Sequence, residues 1–214
     1  NANNTLSMCK SEIRFVKTTD NKLMPTWIIY PPEFDPNKKY PTLLFCLGEP
    51  QGTTRMYSFR WNFQLMASQG YIVVSPDRRG VFGDGRKWTE DISKDWGGQA
   101  MKDYLSAIDD ISKEKYVDKD RRGCVGASYG GYSVFMLEAL HNGRFKTFIA
   151  HDGVFDLRSE FGTTDEMWFE YWEKGGAYWE KKNKIAQKSF TQNPSDFVDK
   201  WNTPIMIVQG GIDY

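Results

Sequence analysis

The alternation of short apolar runs with segments of helical period constrains the fold of this chain most strongly. Apolar side chains recur every three or four positions through residues 101–111, which predicts an amphipathic helix. Strands are predicted at residues 13–16, 27–30, 42–47, 71–74, 124–125, 148–150 and 205–208. Apolar strands separated by helices indicate a parallel sheet covered on both faces. Because crossovers are right-handed, we expect a doubly wound, mostly parallel α/β sheet, with too few strands for an eight-stranded barrel.

The composition limits the function classes. The 214 residues carry 28 basic and 28 acidic side chains, so no net charge attracts nucleic acid or an anionic membrane. No stretch of about 18 apolar residues is present, and neither a repeat nor a linker divides the chain. The three cysteines, Cys9, Cys46 and Cys124, lack metal-ligand spacing and are interpreted as buried thiols. We predict one domain over residues 1–214, with no metal, no cofactor, no nucleic acid partner and no membrane partner.

A serine motif at the end of a predicted strand carries the chemistry. Gly126, Ser128 and Gly130 fit the pattern G-x-S-x-G, with a strand before it and an apolar helix after it. In this context the serine projects from a sharp, strained turn, and a Cβ at either glycine would collide with the neighbouring strand or helix. The N–H of Tyr129 points at the oxyanion that forms on the attacked carbonyl. We predict that Ser128 is a nucleophile and Tyr129 an oxyanion donor; the alternative is a glycine-rich structural turn.

A carboxylate follows a later predicted strand. In α/β-hydrolases the catalytic residues run Ser, then Asp or Glu, then His along the chain. Asp213 lies in the exit loop of the strand at residues 205–208, where it could orient a histidine that accepts the Ser128 proton, or cap a helix.

Both histidines precede this aspartate. His141 ends the helix after the serine motif, where we expect a capping role, and His151 ends the next strand, at the same sheet edge as Ser128. We interpret His151 as a structural residue of the site's rim, since only a rearranged triad would make it a base. The chain is therefore expected to lack its own catalytic base.

These motifs resemble the catalytic domain of the prolyl oligopeptidase family of serine peptidases, and most closely its dipeptidyl-peptidase V branch. The segments that carry the resemblance are residues 34–41, 69–74, 79–80, 96–98, 126–131, 151–153 and 211–214. The resemblance implies an α/β-hydrolase fold in which Ser128 is the nucleophile and Asp213 the triad acid. It also implies a β-propeller before this domain, and a last strand and a histidine loop after it. We therefore expect that the sequence lacks both of these parts.

The resemblance also bears on the oxyanion site. Relatives carry a Gly-Gly-Pro turn after the third strand, often preceded by His or Tyr, whereas residues 47–50 read Leu-Gly-Glu-Pro here. A backbone N–H near Gly48 is then the expected second donor, since it needs no side chain. Glu49 would oppose the developing negative charge unless its carboxylate turns away.

Aromatic residues after the sixth predicted strand suggest a substrate pocket. Val154, Phe155, Trp168 and Trp172 lie where relatives place the wall of the pocket for the substrate's P1 side chain. Covering the sheet is the alternative role for these rings. The two arginines at residues 78–79 could anchor substrate or form a salt bridge within their loop.

The resemblance implies a serine exopeptidase that releases dipeptides or short peptides from unblocked N-termini. Two alternatives stay open: an acylaminoacyl peptidase or carboxylesterase on the same scaffold, and a non-catalytic, hydrolase-like binding protein. The expected partners are a peptide substrate and the protein's own propeller and C-terminal segment; a homodimer stays open. By resemblance alone the location is periplasmic or extracellular, although a cytoplasmic location stays open.

Overall fold

The central element of the fold is one mixed β-sheet. A computed structural model describes residues 8–56 and 58–213, and within them seven strands form this sheet. They are β1 (Ser11–Lys17), β2 (Leu23–Ile29), β3 (Tyr40–Cys46), β4 (Ile72–Pro76), β5 (Val117–Ala127), β6 (Thr147–His151) and β7 (Ile205–Val208). Their spatial order is β1-β2-β4-β3-β5-β6-β7. The β1/β2 and β2/β4 pairs are antiparallel and the other four are parallel, so the predicted mostly parallel sheet is confirmed.

Helices cover both faces of the sheet. They are α1 (Phe63–Ser68), α2 (Arg86–Glu90), α3 (Gln99–Ile111), α4 (Tyr129–Leu140), α5 (Leu157–Thr163), α6 (Met167–Lys174), α7 (Lys184–Phe190) and a 3-10 helix (Pro194–Lys200). Ile28 and Val74 pack in the main core with α3 and α4, whereas their neighbours Ile29 and Val73 pack in a smaller core with Ala67 of α1. Successive side chains of a strand point to opposite faces, so this division shows the doubly wound arrangement.

The predicted boundaries differ most at β5. Residues 124–125 were the only apolar signal for this strand, but it begins at Val117. Its first half is charged and largely exposed, and Arg121 pairs there with Asp118 at 2.8 Å. An apolar pattern does not mark a strand segment whose side chains are in water. By contrast, β7 occupies the predicted residues, and α3 begins two residues before the predicted helix.

The strand order brings several loops to one edge of the sheet. The carboxyl ends of β3, β5, β6 and β7 lead respectively to Gly48, Ser128, Asp152 and Asp213, as the parallel pairing requires. Ligands of open α/β sheets bind at this edge. Among the described residues, no helix has the length and apolar character needed to cross a membrane. All three cysteines are buried free thiols, as predicted.

Candidate active site

Ser128 occupies a strained turn between β5 and α4. Its φ angle is 58°, in the left-handed region that residues other than glycine seldom adopt. Its N–H donates to the carbonyl of His151 at 3.0 Å, and its own carbonyl accepts from Tyr132 N–H at 2.9 Å. These hydrogen bonds to β6 and to the first turn of α4 hold the serine in a backbone conformation that is unfavourable for it by itself.

The glycines of the motif permit close backbone approaches. A Cβ at Gly126 would lie 2.5 Å from the carbonyl oxygen of Gly130. A Cβ at Gly130 would overlap the carbonyl oxygen of Cys46 at the end of β3. The predicted collisions with neighbouring strand and helix are thus confirmed, and they explain why two glycines flank the serine.

Ser128 and Asp213 line the same space. The Asp213 cavity, of about 460 Å³, includes both side chains together with Val154 and Phe155. Asp213 Oδ2 accepts a hydrogen bond from Gln209 Nε2 at 2.6 Å, within the loop that follows β7. The structure therefore brings the predicted nucleophile and acid to one cavity, although they are 85 positions apart in the sequence.

The two histidines have other contacts. His141 caps the end of α4: its Nδ1 accepts from Phe145 N–H at 3.2 Å, and its Nε2 lies 3.1 Å from Thr203 Oγ1. Burial, together with the charge of Arg144, lowers the pKa of His141. A structural role at the helix end was predicted, and the contacts agree with it.

His151 lies at the rim of the site. Its Nδ1 is 3.2 Å from Asp152 Oδ2, and its ring stands edge-on to Trp61 with the centroids 6.2 Å apart. The hydrogen bond that it makes with Ser128 is through its backbone carbonyl. Its position matches the structural role expected from the sequence, while a role as base stays untested.

Two backbone segments adjoin Ser128 where the sequence predicts the oxyanion site. Tyr129 is the first residue of α4, and the first N–H groups of a helix have no partner within it. Gly48 lies against the serine, because a Cβ built on it would be 3.7 Å from Ser128 Cβ and 2.9 Å from the carbonyl oxygen of Ala127. Gly48 and Ser128 also line a second space, the Gly48 cavity, of about 350 Å³. The Glu49 carboxylate lies across its own turn, beside Gly52.

Arg78 holds this oxyanion turn in place, which the sequence did not reveal. Its side chain is fully buried, so Arg78 is not placed to anchor substrate, which was one of the two roles left open for these arginines. The guanidinium donates to the carbonyls of Leu47, Glu49, Pro50 and Arg79 at 2.6–3.2 Å and to Tyr104 Oη at 3.0 Å. It also stacks over the Tyr129 ring, 4.7 Å from the centroid. One side chain thus contacts both oxyanion segments.

Arg79 forms the salt bridge that was the alternative for this loop. Its guanidinium pairs with buried Asp103 at 3.0 Å and also with Asp20. An arginine two residues after a buried strand, as at position 78, is the signal that could have indicated an internal anchor.

The predicted pocket residues separate into two groups. Val154 and Phe155 line the Asp213 cavity, and Phe155 packs edge-on against Phe135. Trp168 is 72% exposed and lines neither the Asp213 cavity nor the Gly48 cavity. Its neighbour Phe169 lines a third space that also includes Ser128. The geometry therefore does not support the predicted substrate contact of Trp168, because that side of α6 points to solvent.

Trp172 is also exposed, with Lys94 Nζ 4.4 Å from its ring centroid.

Within the described residues, no group of three or more His, Cys, Asp or Glu side chains is placed to hold a metal ion. What the site offers is a serine, a carboxylate and backbone donors.

Comparison with known proteins gives a consistent result. The model of the prolyl oligopeptidase family matches residues 57–214. Dipeptidyl-peptidase 5 of Porphyromonas gingivalis is 53% identical over 204 residues, which cover 95% of this chain and 30% of that protein. Dipeptidyl-peptidase 5 of Schizosaccharomyces pombe is 36% identical over 206 residues, covering 95% and 29%. The chain thus spans about 30% of the length of these curated relatives.

Solved structures show the same fold. An acylaminoacyl peptidase of Pyrococcus horikoshii has a TM-score of 0.85 at 24% identity, covering 97% of this chain and 33% of that one. Dipeptidyl peptidase 4 of Porphyromonas gingivalis has a TM-score of 0.79 at 28% identity, covering 95% and 28%. Both similarities extend over nearly the whole of the present chain.

Proposed function

Because the chain belongs to the prolyl oligopeptidase family of serine peptidases, we propose that it carries the nucleophile and triad acid of an enzyme releasing dipeptides from unblocked peptide N-termini. The observation that carries the proposal is the shared cavity of Ser128 and Asp213, with the serine held on a strained turn. The names of the two relatives, both dipeptidyl-peptidase 5, support the choice of substrate.

The proposed reaction passes through an acyl-enzyme. Ser128 Oγ attacks the carbonyl carbon of the substrate's second residue, and the hydroxyl proton passes to a histidine that Asp213 orients. The N–H groups of Tyr129 and Gly48 stabilise the oxyanion. The histidine then protonates the leaving amine as the C–N bond breaks, and water hydrolyses the ester to release the dipeptide.

We place this histidine outside the 214 residues. His141 is engaged at the end of α4 through both ring nitrogens, and the His151 side chain contacts Asp152 and Trp61. The 204 matched residues are 30% of the Porphyromonas gingivalis relative, which leaves room for such a histidine elsewhere in the protein.

A covalent probe tests the nucleophile. In the full-length protein, a fluorophosphonate should label the wild type and should not label Ser128→Ala. Ser68→Ala, at an exposed serine at the end of α1, is the matched control and should label normally. Labelling that persists in Ser128→Ala would show that another residue is the nucleophile.

An acylaminoacyl peptidase is the second candidate, supported by the fold of the Pyrococcus horikoshii enzyme. Paired reporter substrates with a free or an acetylated N-terminus separate the two activities. Faster cleavage of the acetylated substrate would favour the second candidate. Absence of both labelling and turnover would favour a binding protein.

A further inference from the structure

The Gly48 cavity is a largely apolar space beside Ser128. Five large apolar residues line it: Phe45, Leu47, Met56, Trp61 and Phe63. Its charged lining residues are Glu49, whose carboxylate lies beside Gly52, and the exposed Arg60. The proposed reaction uses only the backbone N–H of Gly48 from this space, so the apolar lining has no role in it.

The aromatic part of this lining is packed in place. The ring of Phe45, which is 3% exposed, has its centroid 5.4 Å from that of Trp61 and 4.9 Å from that of Phe63. Trp61 also stands edge-on to His151, so its ring lies between residues of β3 and β6. Rings that pack on each other at such distances are held in fixed orientations. The cavity therefore has a preformed apolar wall, which suits an apolar side chain.

The order of the strands places this cavity and the Asp213 cavity on opposite sides of the nucleophile. Ser128 follows β5, with β3 on one side and β6 and β7 on the other. The Gly48 cavity is on the β3 side, whereas Val154 and Phe155, the predicted wall for the P1 side chain, line the Asp213 cavity. A peptide that is cleaved at Ser128 has chain on both sides of the attacked carbonyl. The β3 side is thus the one left for the leaving chain.

The space on the β3 side also continues beyond the serine. The Gly48 cavity shares lining residues with a further cavity, of about 220 Å³, which reaches Trp27 and Ile29 of β2. The shared residues are Thr54, Met56, Ser58, Trp61 and Phe63. In the proposed reaction the acyl part is two residues long, but the leaving chain has no fixed length. Two cavities in succession suit the side of the substrate that must continue.

We propose that the Gly48 cavity binds the side chain of the substrate's third residue, the first residue of the leaving chain, and selects apolar side chains there. Consecutive Cα atoms are about 3.8 Å apart, so this residue must lie beside Ser128 when the second carbonyl is attacked. Trp61 supplies the fixed wall, and Met56, which is 75% exposed, supplies an adaptable one. The inference rests on the proposed function and deepens it, because it adds a preference for the residue after the cleaved bond.

The test varies only the third residue of a peptide substrate. The full-length protein is given Ala-Leu-Xaa-Ser-Ala amides in which Xaa is Phe, Leu, Ser or Gly, and the released Ala-Leu is measured by mass spectrometry. Because an apolar side chain leaves water, kcat/KM should be about ten- to a hundredfold higher for Phe or Leu than for Gly. Trp61→Ala should lower this preference about tenfold and Met56→Ser about threefold. Phe15→Ala, at an exposed residue of β1 that lines neither cavity, is the control and should keep the preference.

Fluorophosphonate labelling of Ser128 is measured on the same variants. The leaving group of this probe is fluoride, which needs no apolar pocket, so labelling reports whether the catalytic residues are intact. If Trp61→Ala slows labelling and lowers kcat/KM for all four peptides by one factor, the ring is structural and the inference is wrong. Should Trp61→Ala fail to fold, as thermal unfolding would show, the exposed Met56 decides.

The other outcomes separate the inference from the function on which it rests. If the wild type releases Ala-Leu from all four peptides with similar kcat/KM, the apolar subsite is wrong and the function stands. If the variants change the preference between Ala-Leu and Ala-Gly at the start of the peptide, and not the preference at the third residue, the cavity holds the acyl side and the inference is again wrong. If the wild type releases no dipeptide from any of these peptides, the proposed function itself fails.

Discussion

Replacing Arg78 by lysine tests how the oxyanion site is held together. The guanidinium makes five hydrogen bonds, four of them to backbone carbonyls, and residues 47–50 supply three of those carbonyls. Lysine keeps the positive charge but has only three N–H donors on one nitrogen. Arg78→Lys must therefore leave at least two buried acceptors without their donor.

The size of the effect follows from this count. A hydrogen bond to a charged group contributes about 1.5–3 kcal/mol, so two lost bonds should lower the free energy of unfolding by about 3–6 kcal/mol. In the molecules that stay folded, the turn at residues 47–50 loses its anchor and Gly48 moves. Because loss of one oxyanion donor lowers kcat about a hundredfold or more, we expect a displaced donor to lower it about ten- to a hundredfold. KM should change little, since the donor acts mainly in the transition state.

Two measurements on the full-length protein check this prediction. Urea unfolding followed by tryptophan fluorescence gives the stability, and steady-state kinetics on a peptide reporter gives kcat and KM. Arg86→Lys is the matched control: Arg86 is exposed, pairs with Glu90 of its own helix, and its replacement should leave both results unchanged. A destabilised Arg78→Lys with the wild-type kcat would refute the positioning role, and unchanged stability would refute the hydrogen-bond count.

Three further changes have defined outcomes. Gly130→Ala places a Cβ against the carbonyl of Cys46, and a displacement of about 1 Å at the nucleophile should slow fluorophosphonate labelling about a hundredfold. Asp156→Ala removes the cap of α5 and should lower the free energy of unfolding by about 1 kcal/mol. Burial opposes the ionisation of Asp156, but hydrogen bonds, led by the one from Ser195, lower its pKa to about 2. Its contribution to the free energy of unfolding is therefore lost as pH falls from about 4 through 2. Urea unfolding of Asp156→Asn across this pH range should not show that loss. Trp168→Ala should leave kcat/KM unchanged, and a large fall would restore its predicted substrate contact.

Much of the site could be predicted because local patterns encode it. The serine turn needs two glycines at fixed spacing, and the acid needs only to follow a later parallel strand, so Ser128 and Asp213 could be predicted from short segments. Arg78 was not found, because its partners at residues 47–50 lie about thirty positions earlier and meet it only when β3 and β4 pair. The charged start of β5 was missed for a related reason, since a strand end whose side chains are exposed carries no apolar pattern.

Helix α6 shows where the usual rule of burial is reversed. It buries Glu170, Glu173 and Lys174, while Trp168 and Trp172 are 72% and 67% exposed. The two roles considered for Trp168 and Trp172, a pocket wall and a cover for the sheet, both need a buried ring, so neither fits the exposed side of this helix. Burying three charged groups is unfavourable unless they are paired, and only Glu173 has its full set of donors among the described residues. Departures from local pattern of this kind are expected at functional sites. The buried face of α6 is therefore polar, and the hydrogen bonds that Glu173 accepts from Ser93 Oγ and Trp96 Nε1 attach it to the neighbouring loop.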